Sequence, residues 1–271
     1  MSKNTCHDDE SSILFRDDFT PEEIARWYAD EAEAYTDLYI RDRSHTYDKH
    51  GLDIIHAYRA LRNEDPTTQY NVLGLGAAGG QEFKPIIAKI EGITILDPSE
   101  YYSQKSSVLE VPCVWRKPSV DGSIQFQDHC FDLVTCFSAL HHVPNATFVL
   151  SELIRVLKPN GLLLLREPII SLGDWRKPRA GLTKRERGIP PEELEKVFQK
   201  RGMEIVSKSK CLFPGIDLLA KLGITEPYNS YFFVWVDAIL ARIFSWNYRY
   251  HRTKWWHRVA PRSIYYVVRK S

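Results

Sequence analysis

Asn71-Val72-Leu73-Gly74-Leu75-Gly76-Ala77-Ala78-Gly79 decides the fold. A short apolar run ends in glycines, and a helix-like segment follows around 80–90. Working outward, Ile93–Leu96 and Phe131–Cys136 read as further buried strands, and residues 146–157 carry a helical period. Lys158-Pro159-Asn160-Gly161 is expected to stop that helix, and Leu162–Leu165 is a fully buried strand. Near-continuous apolar strands alternating with helices predict a parallel α/β sheet covered on both faces.

The glycines fit GxGxxG between a strand and a helix. Such a loop turns tightly, lets backbone approach a ligand and presents N–H donors at the helix start. Asp97 ends the next strand, where a carboxylate can hold both hydroxyls of a ribose. This much suits NAD, FAD or S-adenosylmethionine, and the plain alternative is a tight strand–helix turn.

The downstream segments choose among them. Phe131-Asp132-Leu133-Val134, Ser138-Ala139-Leu140-His141-His142-Val143-Pro144 and Glu152–Gly161 followed by Leu162–Leu165 resemble the class I S-adenosylmethionine-dependent methyltransferases, of the type 11-like kind. The likeness covers about residues 71–168, with weaker agreement to about 207 and at the final strand. It implies a Rossmann-like fold with a seven-stranded, mostly parallel sheet between helices, and S-adenosyl-L-methionine as cofactor. By position, Gly74, Gly76, Ala78 and Gly79 would pass under the methionine and ribose. Asp97 would accept from the ribose hydroxyls, and Pro98 and Ser99 would flank the adenine. Asp121 would meet the adenine amino group, unless it is only a surface Asp-Gly turn. Phe137 and Ser138 would lie beside the methyl-bearing sulfur.

Methyl transfer is an in-line displacement at a sulfonium carbon, so the protein mainly orients the acceptor. An oxygen acceptor usually needs a base, and a neutral histidine suits that near pH 7. His141 and His142 follow the fourth strand at the sheet's carboxyl edge, and His141 is the one expected to face the acceptor. Glu167, at the same edge, is expected to orient the acceptor or bind its hydroxyls. A structural role for both histidines, and an ion pair for Glu167, are the alternatives. No HxxxH, HExxH or clustered acids occur, so no metal is expected.

The flanks suggest three units: an N-terminal helical lid over 1–66, a methyltransferase core over 67–211 plus 263–271, and a helical cap over 212–262 inserted before the last strand. Thr20, Pro21, Glu22 and Glu23 open a helix over 20–40, and a second spans about 51–63. Trp27, Tyr28, Tyr35 and Tyr39 either close over the site or form an apolar stripe. The cap holds four of the seven tryptophans. Its segment Tyr231–Phe244 is apolar nearly all round, which predicts a buried helix; a membrane-interface helix or a dimer contact is the alternative.

Trp175, Arg187, Tyr250 and His251 are assigned to the acceptor, because aromatics stack on rings and Arg binds phosphate. The acceptor is expected to be a small molecule or a saccharide, phosphorylated or lipid-linked. A narrower likeness is to methyltransferases of bacterial glycan or small-molecule biosynthesis. O-methylation leads, with N-methylation of an amine metabolite and a non-catalytic cofactor-binding relative as alternatives. A net charge of +1 and the lack of base-flipping motifs speak against nucleic acid. Residues 1–40 carry eleven acids and three bases, whereas eight Lys or Arg and no acid follow Asp237. That basic end docks on the acidic start or meets an anionic ligand or surface. Five scattered cysteines support neither disulfides nor a zinc site. No signal or membrane-spanning run is read, so a cytoplasmic monomer or homodimer is expected, with peripheral membrane contact open.

Overall fold

The computed structural model describes residues 19–29, 49–63, 65–98, 102, 106–173, 179, 182, 185–221, 223–224 and 226–271. Its strands are β1 (Tyr70–Leu75), β2 (Ile90–Leu96), β3 (Ser107–Val108), β4 (Val111–Arg116), β5 (Phe131–Phe137), β6 (Leu157–Pro168), β7 (Met203–Cys211) and β8 (Ser263–Lys270). They form one sheet in the order β3-β4-β2-β1-β5-β6-β8-β7. Strands β4, β2, β1, β5 and β6 run parallel, and β8 lies antiparallel between β6 and β7. Seven strands were expected; the eighth is β3, two residues folded back antiparallel on β4. The strand order reverses at β1, which lies between β2 and β5, so the ligand crevice of such a sheet falls at their carboxyl ends.

The helices are α1 (21–29), α2 (His50–His56), α3 (Ala146–Val156), α4 (Pro191–Lys200), α5 (Pro214–Lys221) and α6 (Tyr231–Ile243). At the start of α1, the Thr20 N–H donates to the Glu23 carboxylate and the Glu23 N–H donates to the Thr20 hydroxyl, a capping box. Residues 30–40 of the expected helix lie outside the described residues. Val149, Leu150, Leu153 and Ile154 put α3's apolar stripe against the sheet. Leu163, Leu164 and Leu165 of β6 have no exposed surface.

Lys158–Gly161 follows the end of α3 as expected: the helix ends at Val156, and regular pairing of β6 with β5 resumes at Leu162. A register slip between Phe131 and Leu133 absorbs the turn. Lys158 Nζ grips both Asp132 carboxylate oxygens at 2.8 and 2.9 Å, and Asn160 takes φ +63°. One expectation is corrected: the segment Tyr231–Phe244, expected to be a buried helix, is not buried all round. Val234, Asp237 and Ala241 face inward, while Phe232, Trp235, Ile239 and Ile243 are each more than half exposed.

Candidate functional site

The glycine loop is set by steric need and a carboxylate. Gly76 has φ +66°, and a Cβ there would sit 2.4 Å from the Ala139 Cβ. Its N–H donates to the Leu96 carbonyl at 2.8 Å. Ala78 is also left-handed, at φ +44°. Its N–H donates to Asp97 Oδ2 at 3.0 Å, and its carbonyl accepts from Trp115 Nε1 at 3.1 Å. Asp97 thus ties the end of β2 to the loop after β1. A Cβ at Gly74 would meet Ala77 and the Phe83 ring at 2.8 Å, so that glycine answers packing beneath the loop. Gly79 lies against the ring of Tyr102.

Pro98 follows Asp97 on the rim, and Ser99 lies outside the described residues. Asp121 sits in an exposed turn, where Oδ1 accepts from the Ser123 N–H and hydroxyl. Those bonds hold its carboxyl below the ordinary value. Phe137 packs between Tyr58 and Tyr265, with the Arg166 guanidinium 5.4 Å from its ring centroid. Ser138, at φ +62°, accepts from Arg166 Nε at 3.1 Å.

Next along the edge is the 3-10 turn Leu140–His142. Glu167, with no exposed surface, caps it: Oε1 accepts from the N–H groups of Ala139 and Leu140 at 3.1 and 2.9 Å. Oε2 lies 2.7 Å from His141 Nδ1. His141 Nε2 is 3.7 Å from Glu186 Oε1. Burial opposes the His141 proton, but Glu167 and Glu186 outweigh it and push its pKa up to about 9. His141, expected to face the acceptor, is therefore an enclosed imidazolium at neutral pH. His142 is half-buried, with its ring centroid 4.0 Å from that of His141.

Both histidine carbonyls are fastened. Arg187 Nη1 donates to the His141 carbonyl at 3.0 Å, and Trp27 Nε1 donates to the His142 carbonyl at 2.8 Å. Trp27 and Arg187 are fully buried and stack, guanidinium carbon to ring centroid 4.4 Å. Tyr250 donates its hydroxyl to the Gly188 carbonyl at 2.8 Å, and His251 packs edge-on to Tyr250. Of the residues assigned to the acceptor, Arg187, Tyr250 and His251 thus meet around the segment 187–188; Tyr35, Tyr39 and Trp175 lie outside the described residues.

Sequence reading missed three acids. Asp53 of α2 binds Arg166 Nη1 at 3.0 Å and accepts from the Tyr265 hydroxyl. Glu82 accepts from the Thr135 hydroxyl at 2.6 Å under the glycine loop, and burial pushes its pKa up to about 7. Glu186 joins the histidines, and donor atoms of His141, His142 and Glu186 lie within 4.8 Å of one another. No sequence motif joins these three, because Glu186 comes from a distant loop.

Residues 73–165 match the methyltransferase domain family. An uncharacterized methyltransferase of Bacillus subtilis, YbaJ, is 31% identical over 150 residues, which is 51% of this chain and 58% of that protein. The chain spans about half the length of the curated relatives it matches. Among solved structures, an S-adenosylmethionine-dependent methyltransferase from Mesorhizobium loti aligns with TM-score 0.52 at 13% identity. That alignment covers 80% of this chain and 97% of the other. The [4+2]-cyclase SpnF aligns with TM-score 0.51 at 18% identity, over 82% of this chain and 80% of its own. These alignments establish the Rossmann-like methyltransferase fold, and the cyclase shows that the fold alone does not fix a reaction. Among the described residues, no helix is long and apolar enough to cross a membrane.

Proposed function

We propose, from the premise that residues 73–165 form a domain of the class I S-adenosylmethionine-dependent methyltransferase family, that this chain methylates an oxygen of a small-molecule or saccharide-type acceptor. The observation that carries this reading is the half-buried His142 ring beside a locked His141–Glu167 pair, on the sheet edge that also presents the glycine loop and Asp97. Bound S-adenosyl-L-methionine would supply a methyl group already activated on a sulfonium.

The chain's residues divide the rest of the work. The loop Gly74–Gly79, with its left-handed turns at Gly76 and Ala78, holds the cofactor's ribose and methionine. Asp97 accepts from the ribose hydroxyls; Pro98, Ser99 and Asp121 border the adenine; Phe137 and Ser138 flank the sulfur. His142 takes the acceptor proton at a ring nitrogen. His141 is a positioning residue, fixed by Glu167, whose ring holds that of His142 in place. Glu186, Tyr250 and His251 border the acceptor. Residues 1–66 act as the lid and 212–262 as the cap over a core of 67–211 plus 263–271.

Two measurements test this. Calorimetry with S-adenosylmethionine and its demethylated product should give heat; silence with both ends the cofactor reading. Methyl transfer to a panel of hydroxyl acceptors should fall about 10²-fold or more in His142→Ala. A loss under tenfold, or transfer only to amines, ends the base-assisted O-methylation reading.

A further inference from the structure

The outer face of α6 is built against the rule for a surface helix. Such a helix turns polar residues to water, yet Phe232, Trp235, Ile239, Ile243 and Trp246 recur every three or four residues and are each more than half exposed. The neighbouring turn Trp255–Arg258 adds Trp255, 75% exposed. It is tied to this end of the helix by Asn247 Nδ2, which donates to the Trp256 and Val259 carbonyls at 2.7 and 2.9 Å. Contiguous exposed apolar surface of this kind marks an interaction site.

The exposed charge on the stretch that carries this face, residues 227–271, has one sign. Arg242, Arg249, Lys254 and Arg258 are all exposed. From 227 to 271 the one acid is Asp237, buried with its carboxylate bound to the Leu212 and Phe213 N–H groups. An apolar groove lined by Ile54, Ile55, Tyr231 and Trp235, with Arg59 and Arg62, continues the face between α6 and α2. A second copy is a poor occupant, since a two-fold contact would set these bases against their own equivalents. A membrane span is excluded by the helix's 13 residues.

We propose that this face docks on an anionic lipid bilayer, with α6 lying flat at the headgroup boundary. Tryptophans prefer that boundary, and the basic rim meets the lipid phosphates. Through α2, whose Asp53 binds Arg166 Nη1 at 3.0 Å, the docked face is tied to β6.

Co-sedimentation of the full chain with vesicles tests this without reference to methyl transfer. Binding is expected with phosphatidylcholine–phosphatidylglycerol vesicles, weakening as salt rises, and little with phosphatidylcholine alone. Trp246→Ser with Trp255→Ser should lower partitioning about tenfold. Arg249→Gln, Lys254→Gln and Arg258→Gln together should abolish the preference for phosphatidylglycerol. Unchanged thermal melting certifies that these surface variants fold. Absence of binding to the anionic vesicles overturns the proposal, as does unaltered binding by folded variants. Self-association that Ile239→Glu abolishes, without vesicle binding, assigns the face to a second copy and equally overturns it.

Discussion

Gly76 meets two demands at one position: a left-handed backbone and no room for a Cβ before Ala139. Gly76→Ala should cost about 1–3 kcal/mol from the backbone alone, with more from the clash. Urea unfolding would read the loss, and calorimetry should show weakened cofactor uptake. His141 makes a pH prediction. Its folded pKa of about 9 lies above the ordinary 6.5, so its stabilisation is complete below pH 6.5 and is lost as pH rises through about 9. The melting temperature should therefore decline across that window, and Glu167→Gln should flatten the decline. The glycine loop and the acid ending β2 were legible because a GxGxxG run and an acid at the end of the next strand stand out within one short stretch, residues 74–97. Asp53 and Glu186 were not, because their partners Arg166 and His141 come from distant segments that only the folded sheet assembles.

At the level of elements, Asp237 pins α6 to the end of β7 by accepting from Leu212 and Phe213 at 3.0 and 2.7 Å. Asp237→Ala leaves two enclosed N–H groups without that acceptor and should cost about 2–4 kcal/mol. A lowered urea midpoint at unchanged slope is the expected result; an unchanged midpoint would remove this account of the helix's seat. Strands β1, β5 and β6 were readable as short, mostly apolar runs, of which Leu162–Leu165 is unbroken, and Pro190-Pro191 and Gly202 bracket α4. The Lys158–Gly161 turn was readable as the end of α3, whereas the Lys158–Asp132 ion pair that fastens it joins residues distant in sequence. The exposed side of α6 was misread because composition says how apolar a helix is, not which neighbours cover it.

For the whole molecule, the alternation of apolar strands and helices made the α/β class legible, whereas two-residue β3 is too short to leave a periodic signal. A bound cofactor should stabilise the entire sheet by mass action, since it would bind the folded chain and not the unfolded one. S-adenosylmethionine at about a hundred times its Kd should add about 2.7 kcal/mol, visible as an upward melting shift that Gly76→Ala loses. The placement of β8 bears on synthesis. Strand β6 receives its second partner from residues 263–270, polymerised long after Leu162–Leu165. The edge of β6 that pairs with β8 therefore stays open in a nascent chain until Ser263–Lys270 has emerged, the interval in which mispairing is easiest.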